Sequence, residues 1–213
     1  MKKILLIGGG GHCKVVAAQV RAIGDFEIVG IVDRDKPLGT RLFGTEVIGF
    51  DKDLSLLRNS IPYALITLGS TKDNSLREKL FRLAEAAGFE FPVIIAPSAY
   101  VRVNAAIAAG TVIMPGCIVN DDCTIGKNCI INSGSIVEHD VAVGNHCHIC
   151  PGACVSGNVK IGDLSFIGAG ATIIQSVTIG NNVTVGAGSV VIKDIPDRVI
   201  AAGNPARILS KIT

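Results

Sequence analysis

Three of the protein's four histidines lie between positions 139 and 148, and the first of them is followed directly by an acid. His139 precedes Asp140, and His146 and His148 follow within ten residues. An imidazole titrates near neutral pH, so it can accept a proton while a neighbouring carboxylate orients it. We interpret His139 and Asp140 as a candidate general base with its partner acid. A solvated surface pair is the alternative.

A run of four glycines at residues 8–11 follows a short apolar segment. Such a run between a strand and a helix can bind phosphate through backbone N–H groups. The dinucleotide fingerprint is not met, because its third glycine position falls on Cys13 or Lys14. We expect a nucleotide rather than a nicotinamide cofactor, with His12 beside the glycines and Asp33 at the ribose position. The alternative is a tight turn with a solvated Asp33.

The composition indicates a folded chain that packs small apolar side chains. Of 213 residues, 48% are hydrophobic, only 4% are aromatic, none is tryptophan, and the net charge is +2. These values exclude disorder and give no reason to expect a nucleic-acid partner. No apolar stretch is long enough to span a membrane, and the N-terminal one is too short for a signal peptide. We predict a cytoplasmic protein with no membrane partner.

Residues 1–98 hold seven of the nine aromatic residues and alternate apolar strands with amphipathic helices. Alternating strands and helices predict a Rossmann-like α/β domain with a parallel sheet. Ligands of such sheets bind at the carboxyl ends of the strands. The segments expected at those ends are residues 8–12, 33–34 and 69–70. The predicted strands lie at residues 3–7, 27–32 and 64–68, and the longest helix at 72–87 with Leu76, Leu80 and Leu83 as its buried stripe.

Residues 99–213 follow a different pattern. Every sixth residue from Val101 to Val191 is Ile or Val, sixteen positions without a break, and a small residue stands two positions before each. A six-residue period predicts a β-solenoid in which three hexads form one triangular coil. We place the solenoid at residues 99–194 and a C-terminal tail at 195–213. Glycine often follows the aliphatic residue, and we attribute it to a corner that needs an unusual backbone angle: Gly126, Gly144, Gly162, Gly168, Gly180, Gly186.

The hexad register also bears on the seven cysteines. Cys147 and Cys150 have the spacing of a zinc pair, with two histidines interleaved. Cys147 nevertheless falls in the small inward position, where a thiol behaves as an apolar side chain. We therefore predict no metal site and, from the odd number of cysteines, no disulfide framework. The inward position holds Cys117, Cys123, Cys129 and Cys147, whereas packing does not account for Cys13, Cys150 and Cys154.

Three segments carry a resemblance to a known family: residues 7–16 (IGGGGHCKVV), 132–140 (NSGSIVEHD) and 203–207 (GNPAR). They resemble the sialic acid O-acetyltransferase and sugar acyltransferase family, in particular the bacterial nucleotide-linked 4-amino-sugar N-acetyltransferases of the PglD and PerB type. The resemblance covers nearly the whole chain. It implies a left-handed parallel β-helix and a homotrimer with its sites at subunit interfaces. It also implies acetyl-CoA as the co-substrate and a nucleotide-linked amino sugar, with UDP as the expected nucleotide, as the acceptor. The implied context is bacterial surface-glycan biosynthesis.

The resemblance implies roles for single residues as well. His139 would take a proton from the sugar amine, and Asp140 would orient the imidazole of His139. The best-known relatives carry Glu at the position of Asp140. His148 would lie near the thioester and could donate to the tetrahedral oxyanion. The other implied contacts are Asn132, Gly10, Gly11, His12, Asp33, Arg34, Gly69 and Ser70 for the nucleotide sugar, and Gly157, Ala169 and Ala187 for acetyl-CoA.

Three alternatives remain open from the sequence. The same base could serve O-acetylation of sialic acid or of another sugar hydroxyl. A metal hydratase of the γ-carbonic-anhydrase kind also uses a hexapeptide prism, but its His-x4-His spacing is absent here. The third alternative is a non-catalytic sensor of nucleotide sugar, in which the prism serves only to form a trimer.

Overall fold

The computed structural model of the chain describes residues 1–70 and 73–212. Lys72, the first residue of the helix predicted at 72–87, and Thr213, the last residue of the predicted tail, lie outside the described residues. The protein consists of an α/β domain followed by a left-handed parallel β-helix. The sequence pattern predicts the α/β domain and the solenoid, and the family resemblance predicts the hand of the solenoid. No helix of the described part of the chain is long and apolar enough to cross a membrane.

The N-terminal domain has one sheet in the strand order β3-β4-β2-β1-β5. All pairs are parallel except β3 with β4, a hairpin that the sequence analysis did not predict. The strands are β1 Lys2–Ile7, β2 Phe26–Val32, β3 Arg41–Leu42, β4 Thr45–Gly49 and β5 Tyr63–Ile66. The helices are α1 Gly11–Ile23, a 3₁₀ turn at Asp51–Asp53 that leads into α2 Leu54–Leu57, and α3 Ser75–Ala86.

Strand β1 and helix α1 set the position of the glycine run. The last four residues of β1 are buried, as expected for a central parallel strand that is covered on both faces. Helix α1 begins at Gly11 and buries Cys13, Val16 and Val20 against the sheet. Its end at Gly24 is a left-handed cap with φ of 80°. Cys13 therefore has a packing role.

Helix α3 is rotated relative to the predicted stripe of leucines. Leu80 is buried as predicted, but Leu83 is 43% exposed. Arg77, Phe81 and Ala84 are buried in its place. The helix lies between its own sheet and the solenoid, and this second contact determines which side is covered. The leucine spacing alone carried no information about that contact.

The solenoid is built from two-residue strands that pair in parallel with the strand 18 residues further on, as in Ile118 with Ile136. Its inward Ile and Val side chains are buried from Ile113 onward. Strand β6 already pairs with β9, so the sheet begins four residues before residue 98. The strands β6 to β22 are Ile94–Ile95, Tyr100–Val101, Ala106–Ile107, Val112–Ile113, Ile118–Val119, Thr124–Ile125, Ile130–Ile131, Ile136–Val137, Ala142–Val143, His148–Ile149, Cys154–Val155, Lys160–Ile161, Phe166–Ile167, Thr172–Ile173, Thr178–Ile179, Thr184–Val185 and Val190–Val191.

The prism has three faces, which we number I to III. Face I contains β6, β9, β12, β15, β18 and β21, and it is extended by β23 Val199–Gly203 and β24 Ala206–Lys211. Face II contains β7, β10, β13, β16, β19 and β22, and face III contains β8, β11, β14, β17 and β20. The outward residues Val112, Ile130, His148 and Phe166 of face I are buried. The N-terminal domain packs on this face.

The glycines that follow the inward aliphatic residues were predicted to supply an unusual backbone angle at the corners, and this prediction is wrong. The left-handed backbone angle recurs every six residues at a different position, for example at Asn128, Asp140 and His146. The glycines that follow the aliphatic residues are needed for a steric reason instead. A Cβ on Gly126 would stand 2.6 Å from the carbonyl oxygen of Gly144, one coil further on. Adjacent coils touch backbone to backbone at these positions.

The prediction that four of the cysteines occupy the small inward position of the hexads is confirmed. Cys117, Cys123, Cys129 and Cys147 are fully buried in the small inward position. None of the seven cysteines, all of which lie in the described residues, forms a disulfide. Cys150 is also buried, and Cys154 is half-buried at an outward position of face II.

Candidate active site

The loop after β2 holds the glycine run in place. The carboxylate of Asp33 accepts the backbone N–H of Gly9 at 2.7 Å. It also accepts the N–H groups of Asp35 at 2.9 Å and Lys36 at 3.1 Å. The candidate ribose ligand therefore also organises the two loops at the carboxyl end of the sheet.

A cavity of about 70 Å³ lies at this end of the sheet. Gly8, Asp33, Arg34 and Leu68 are among its lining residues. Beside it, nothing lies within 4 Å of the position that a Cβ of Gly10 or Gly11 would take. Because α1 begins at Gly11, the N–H groups of its first turn have no acceptor within the helix, and the positive end of the helix dipole lies at this point. The arrangement can hold a phosphate group.

His12 points away from that space and into the contact between the two domains. Its Cβ lies 3.1 Å from the position that a Cβ of Gly69 would take. Its Nε2 atom is buried and has no hydrogen-bond partner among the described residues. Burial, with smaller contributions from Arg77 and His148, lowers the pKa of His12 to about 3. Only the backbone of His12 stays beside the glycines, so the predicted phosphate contact can be made by the main chain alone.

Arg77 was missed by the sequence analysis. It is 1% exposed and extends from α3 to the solenoid. One terminal nitrogen donates to the carbonyl oxygens of Ile66, at 3.2 Å, and of Leu68. The other donates to the backbone oxygen of Asn128 at 3.2 Å and to its side-chain oxygen at 2.9 Å. Burial lowers the pKa of Arg77 to about 10, so it remains charged at neutral pH.

His148 joins two other residues that the sequence analysis predicted, Ser70 and Asn132. Its Nδ1 lies 3.1 Å from the hydroxyl of Ser70, and its Nε2 lies 3.0 Å from the side-chain nitrogen of Asn132. The ring meets Phe166 edge to face, with centroids 5.2 Å apart. Burial and the charge of Arg77 lower the pKa of His148 to about 3, although a hydrogen bond to the backbone of Ser70 acts in the opposite direction. The imidazole is therefore neutral at physiological pH.

His146 also lies in the contact between the domains. Its Nδ1 is 3.0 Å from the side-chain nitrogen of Asn128, and its ring meets Phe81 edge to face. Burial lowers the pKa of His146. Across the described residues, no three His, Cys, Asp or Glu side chains come together in a group that could hold a metal ion.

His139 and Asp140 form a corner turn between faces II and III. Nδ1 of His139 lies 2.8 Å from the carboxylate of Asp140, and the two side chains are 63% and 57% exposed. Asp140 has a φ of 60°, an angle that Asp tolerates better than most residues. The hydrogen bond to Asp140 raises the pKa of His139. With Nδ1 directed at the carboxylate, Nε2 is the nitrogen available to accept a proton.

The predicted acetyl-CoA contacts fall at two edges of the prism. Gly157 is at the edge between faces II and III, where its missing side chain makes room for the ring of His139. Ala169 and Ala187 are exposed one above the other at the edge between faces I and II, where Gly188 donates to the carbonyl of Ala169 at 2.8 Å. Within one chain, face II separates these two groups.

The same face separates the candidate base from Asn132 and His148. Asn132 directly follows strand β12 of face I and precedes the edge between faces I and II. His139 follows a strand of face II and lies at its far edge. A single chain therefore supplies both halves of the candidate site, but at opposite edges of one face.

The sequence matches two described families along most of its length. Residues 3–83 match the PglD N-terminal domain. The segments 104–139, 122–157 and 158–193 match the bacterial transferase hexapeptide (six repeats). The chain is 40% identical over 113 residues to UDP-N-acetylbacillosamine N-acetyltransferase of Bacillus subtilis. That match spans 53% of this chain and 51% of the Bacillus enzyme, so about half of the curated relative is covered.

Solved structures match over almost the whole chain. PerB from Caulobacter crescentus, in complex with CoA and GDP-perosamine, is 39% identical with a TM-score of 0.91, over 99% of this chain and 98% of PerB. The acetyltransferase domain of PglB from Neisseria gonorrhoeae FA1090, in complex with acetyl coenzyme A, is 38% identical with a TM-score of 0.91, over 98% of this chain and 99% of that domain. The chain therefore belongs to the PglD and PerB type family of CoA-dependent sugar N-acetyltransferases.

Proposed function

We propose that this protein transfers the acetyl group of acetyl-CoA to the 4-amino group of a nucleotide-linked amino sugar. The observation that carries the proposal is the pairing of His139 with Asp140 at 2.8 Å on an exposed corner. The pairing leaves Nε2 free beside the small residue Gly157. In a family of sugar N-acetyltransferases, a free imidazole nitrogen of this kind is suited to deprotonate an attacking amine.

In the proposed reaction the amine nitrogen attacks the carbonyl carbon of the thioester while Nε2 of His139 takes the proton from the amine. The new C–N bond forms and the C–S bond breaks, and CoA leaves as its thiol with the proton that the His139 imidazolium gives up, which restores the base. Asp140 holds the ring and balances the imidazolium charge. A positioned base contributes about 10²–10⁴-fold to the rate, and holding the amine near the thioester supplies much of the remainder.

For the nucleotide sugar we propose the carboxyl end of the N-terminal sheet. The open N–H groups at Gly10 and Gly11 suit the diphosphate, and Asp33 and Arg34 beside the cavity suit the ribose or the base. We propose a UDP-linked sugar first, supported by the name of the Bacillus relative. The structure of PerB with GDP-perosamine makes a GDP-linked sugar the second compound to test.

For acetyl-CoA we propose a channel between two subunits of a homotrimer. His139 with Gly157 and Ala169 with Ala187 lie at opposite edges of face II, so packing these edges against each other between neighbours would unite them. Face II suits such packing because most of its outward residues are apolar and half-exposed. The six outward residues are Ile118, Ile136, Cys154, Thr172, Val190 and the exposed Tyr100. The CoA complexes of PerB and PglB support the choice of co-substrate.

The remaining parts of the proposal concern organisation and context. We propose residues 1–98 as the nucleotide-sugar domain, 99–194 as the acetyl-CoA and catalytic domain, and 195–213 as a C-terminal tail. Gly69, Ser70, His12, Asn132 and His148 complete the proposed site at the contact between the domains. We propose a cytoplasmic enzyme of bacterial surface-glycan biosynthesis.

The test is release of CoA thiol from acetyl-CoA with UDP-, GDP- and dTDP-linked 4-amino sugars and with free sialic acid as acceptors. We expect turnover with one of the nucleotide 4-amino sugars. In His139→Ala, turnover should fall at least a hundredfold while the oligomeric state and acetyl-CoA binding stay unchanged. Near-normal turnover in that variant would remove His139 as the base.

The same panel separates the alternatives. Turnover confined to sialic acid would favour O-acetylation. Binding of the nucleotide sugar without any thiol release would favour a sensor. Stoichiometric zinc in the purified protein would favour a metal hydratase. Each of these three results would contradict the proposed activity.

A further inference from the structure

A row of hydrogen bonds joins the start of α3 to the edge of the prism between faces I and II. Asn74 Nδ2 is 3.2 Å from the carbonyl oxygens of both Leu164 and Ser165. Its Oδ1 is 2.6 Å from the hydroxyl of Ser70. The row continues through His148 to Asn132, whose Oδ1 accepts the N–H of Ser133 at 2.8 Å. It therefore crosses from the N-terminal domain to the solenoid.

The direction of every hydrogen bond in the row follows from its two ends. The nitrogen of the Asn74 amide must face Leu164 and Ser165, because carbonyl oxygens only accept. Its oxygen therefore faces Ser70 and takes the single hydroxyl proton of that residue. Ser70 has no proton left for His148, so its oxygen accepts from Nδ1 of His148.

The far end gives the same answer independently. The Asn132 oxygen accepts a backbone N–H, so the Asn132 nitrogen faces His148 and donates to it. Nε2 of His148 must then carry a lone pair, and the proton is on Nδ1. Both ends of the row thus specify the same tautomer. Since burial keeps the pKa of His148 near 3, the doubly protonated form does not compete at neutral pH.

We propose that Ser70 and Asn74 are positioning residues that hold His148 as its Nδ1–H tautomer and thereby orient the amide of Asn132 for the acetyl transfer. The role in acetyl transfer rests on the proposed function. The tautomer of His148 follows from the hydrogen bonds alone. Nδ1–H of His148 is committed to Ser70, so the ring has no N–H left for an oxyanion. Asn132 is half-buried, and its second N–H is the donor that this arrangement keeps available beside the edge.

The two proposed positioning residues make different predictions. In Ser70→Ala, the Nδ1–H of His148 loses its acceptor in a buried site. In Asn74→Ala, the Ser70 hydroxyl loses its acceptor and becomes free to donate to Nδ1, which favours the opposite tautomer. Ser75→Ala is the matched control, because within the described part of the chain its hydroxyl donates to Asp73 alone, on the exposed side of the same segment.

The experiment records the ring nitrogens of His148 in ¹⁵N-labelled protein without substrates, with His148→Gln to assign the signals. We expect a protonated Nδ1 and an unprotonated Nε2 in the wild type, retained in Ser75→Ala. Asn74→Ala should move the ring toward Nε2–H, and Ser70→Ala should abolish the single-tautomer pattern. Ser70→Thr, which keeps the hydroxyl, should restore it.

Activity provides the second measurement. Asn74→Ala, outside the proposed substrate contacts, should lower kcat about tenfold with KM for both substrates nearly unchanged. Ser70→Ala should lower kcat by a similar factor, and Ser70→Thr should recover most of that loss. An Nε2–H ring in the wild type overturns the proposal, as do Ser70 and Asn74 variants with unchanged ring signals. Because the spectra need no substrate, failure of the proposed reaction leaves the tautomer test intact and distinguishable.

Discussion

The imidazole of His139 lies directly on the backbone of Gly157, one coil further along the prism. A Cβ at position 157 would stand 2.7 Å from both Cε1 and Nε2 of the ring. The glycine backbone is not in the left-handed region, so a side chain there meets no dihedral strain. The absence of a Cβ at this position therefore serves the placement of the ring.

Gly157→Ala should displace the ring of His139 and lower kcat about tenfold or more, since misplacing a base by about 1 Å costs on the order of 10² in rate. Steady-state kinetics measure the loss. Adding Gly157→Ala to His139→Ala should cost nothing further, because the group it displaces is already gone. Additive losses in the double variant would show that Gly157 acts on something other than the ring.

Asp140→Asn should shift the pH profile. The carboxylate of Asp140 raises the pKa of His139, and a base must be unprotonated, so activity falls as the pH drops through that pKa. Removing the charge lowers the pKa, and the acid limb of kcat/KM should move to lower pH. The plateau rate should fall about three- to tenfold because the base is weaker. Asn also tolerates the left-handed backbone, so the corner is preserved. An unmoved acid limb would rule out His139 as the titrating base.

Arg77→Ala should destabilise the protein by about 3–5 kcal/mol, because it leaves buried carbonyl groups without donors at the contact between the domains. Arg77→Met fills the volume and should lose less. Arg82→Ala is the control on the same helix, since its ion pair with Glu78 is exposed on the arginine side and contributes about 0.3–0.5 kcal/mol. Urea unfolding measures all three. Equal losses at positions 77 and 82 would contradict the structural role of Arg77.

The buried histidines should make the protein sensitive to acid. His12 and His148 have pKa values of about 3 in the folded state, against 6.5 when unperturbed. Between these values the unfolded chain binds more protons, so the free energy of unfolding falls as the pH drops from about 6.5 toward 3. Each residue contributes up to about 1.4 kcal/mol per pH unit.

His148→Gln should therefore flatten the dependence of stability on pH over that range, measured by urea unfolding at pH 7 and pH 5. His139→Ala is the control. The pKa of His139 is raised, so its small contribution is present at low pH and is lost as the pH rises. A variant at position 148 with the full acid dependence of the wild type would show that His148 is already protonated in the fold.

The solenoid could be predicted residue by residue because its core is narrow. Ile or Val occupies every inward position from Ile113 onward, and Ala, Ser, Thr, Cys or Val stands two positions earlier, all of them buried. The six-residue period therefore reports the packing constraint directly. The pair of His139 and Asp140 could be predicted for a similar reason. Neighbouring residues at a corner turn need no distant part of the chain to meet.

The contact between the domains could not be predicted in that way. Arg77 looks like an ordinary polar position among leucines, and its buried environment arises only when α3 meets face I. A signal was present in the solenoid: Val112, Ile130 and Phe166 are apolar at outward positions of a single face, at multiples of 18 residues. That pattern indicates a covered face, but it does not identify the residues that cover it.

The backbone contacts at the glycine corners also limit how this architecture can change in length. At Gly126, Gly144 and Gly162 the backbone of the next coil lies 2.6 to 2.8 Å from the position that a Cβ would take. The rise per coil equals the spacing of paired strands, about 4.8 Å. Equivalent residues of successive coils therefore differ in position along the prism axis by whole multiples of this rise, and Ala169 and Ala187 are one rise apart. Chains of this type can be lengthened or shortened in units of 18 residues, whereas any other insertion must leave the coil as a loop.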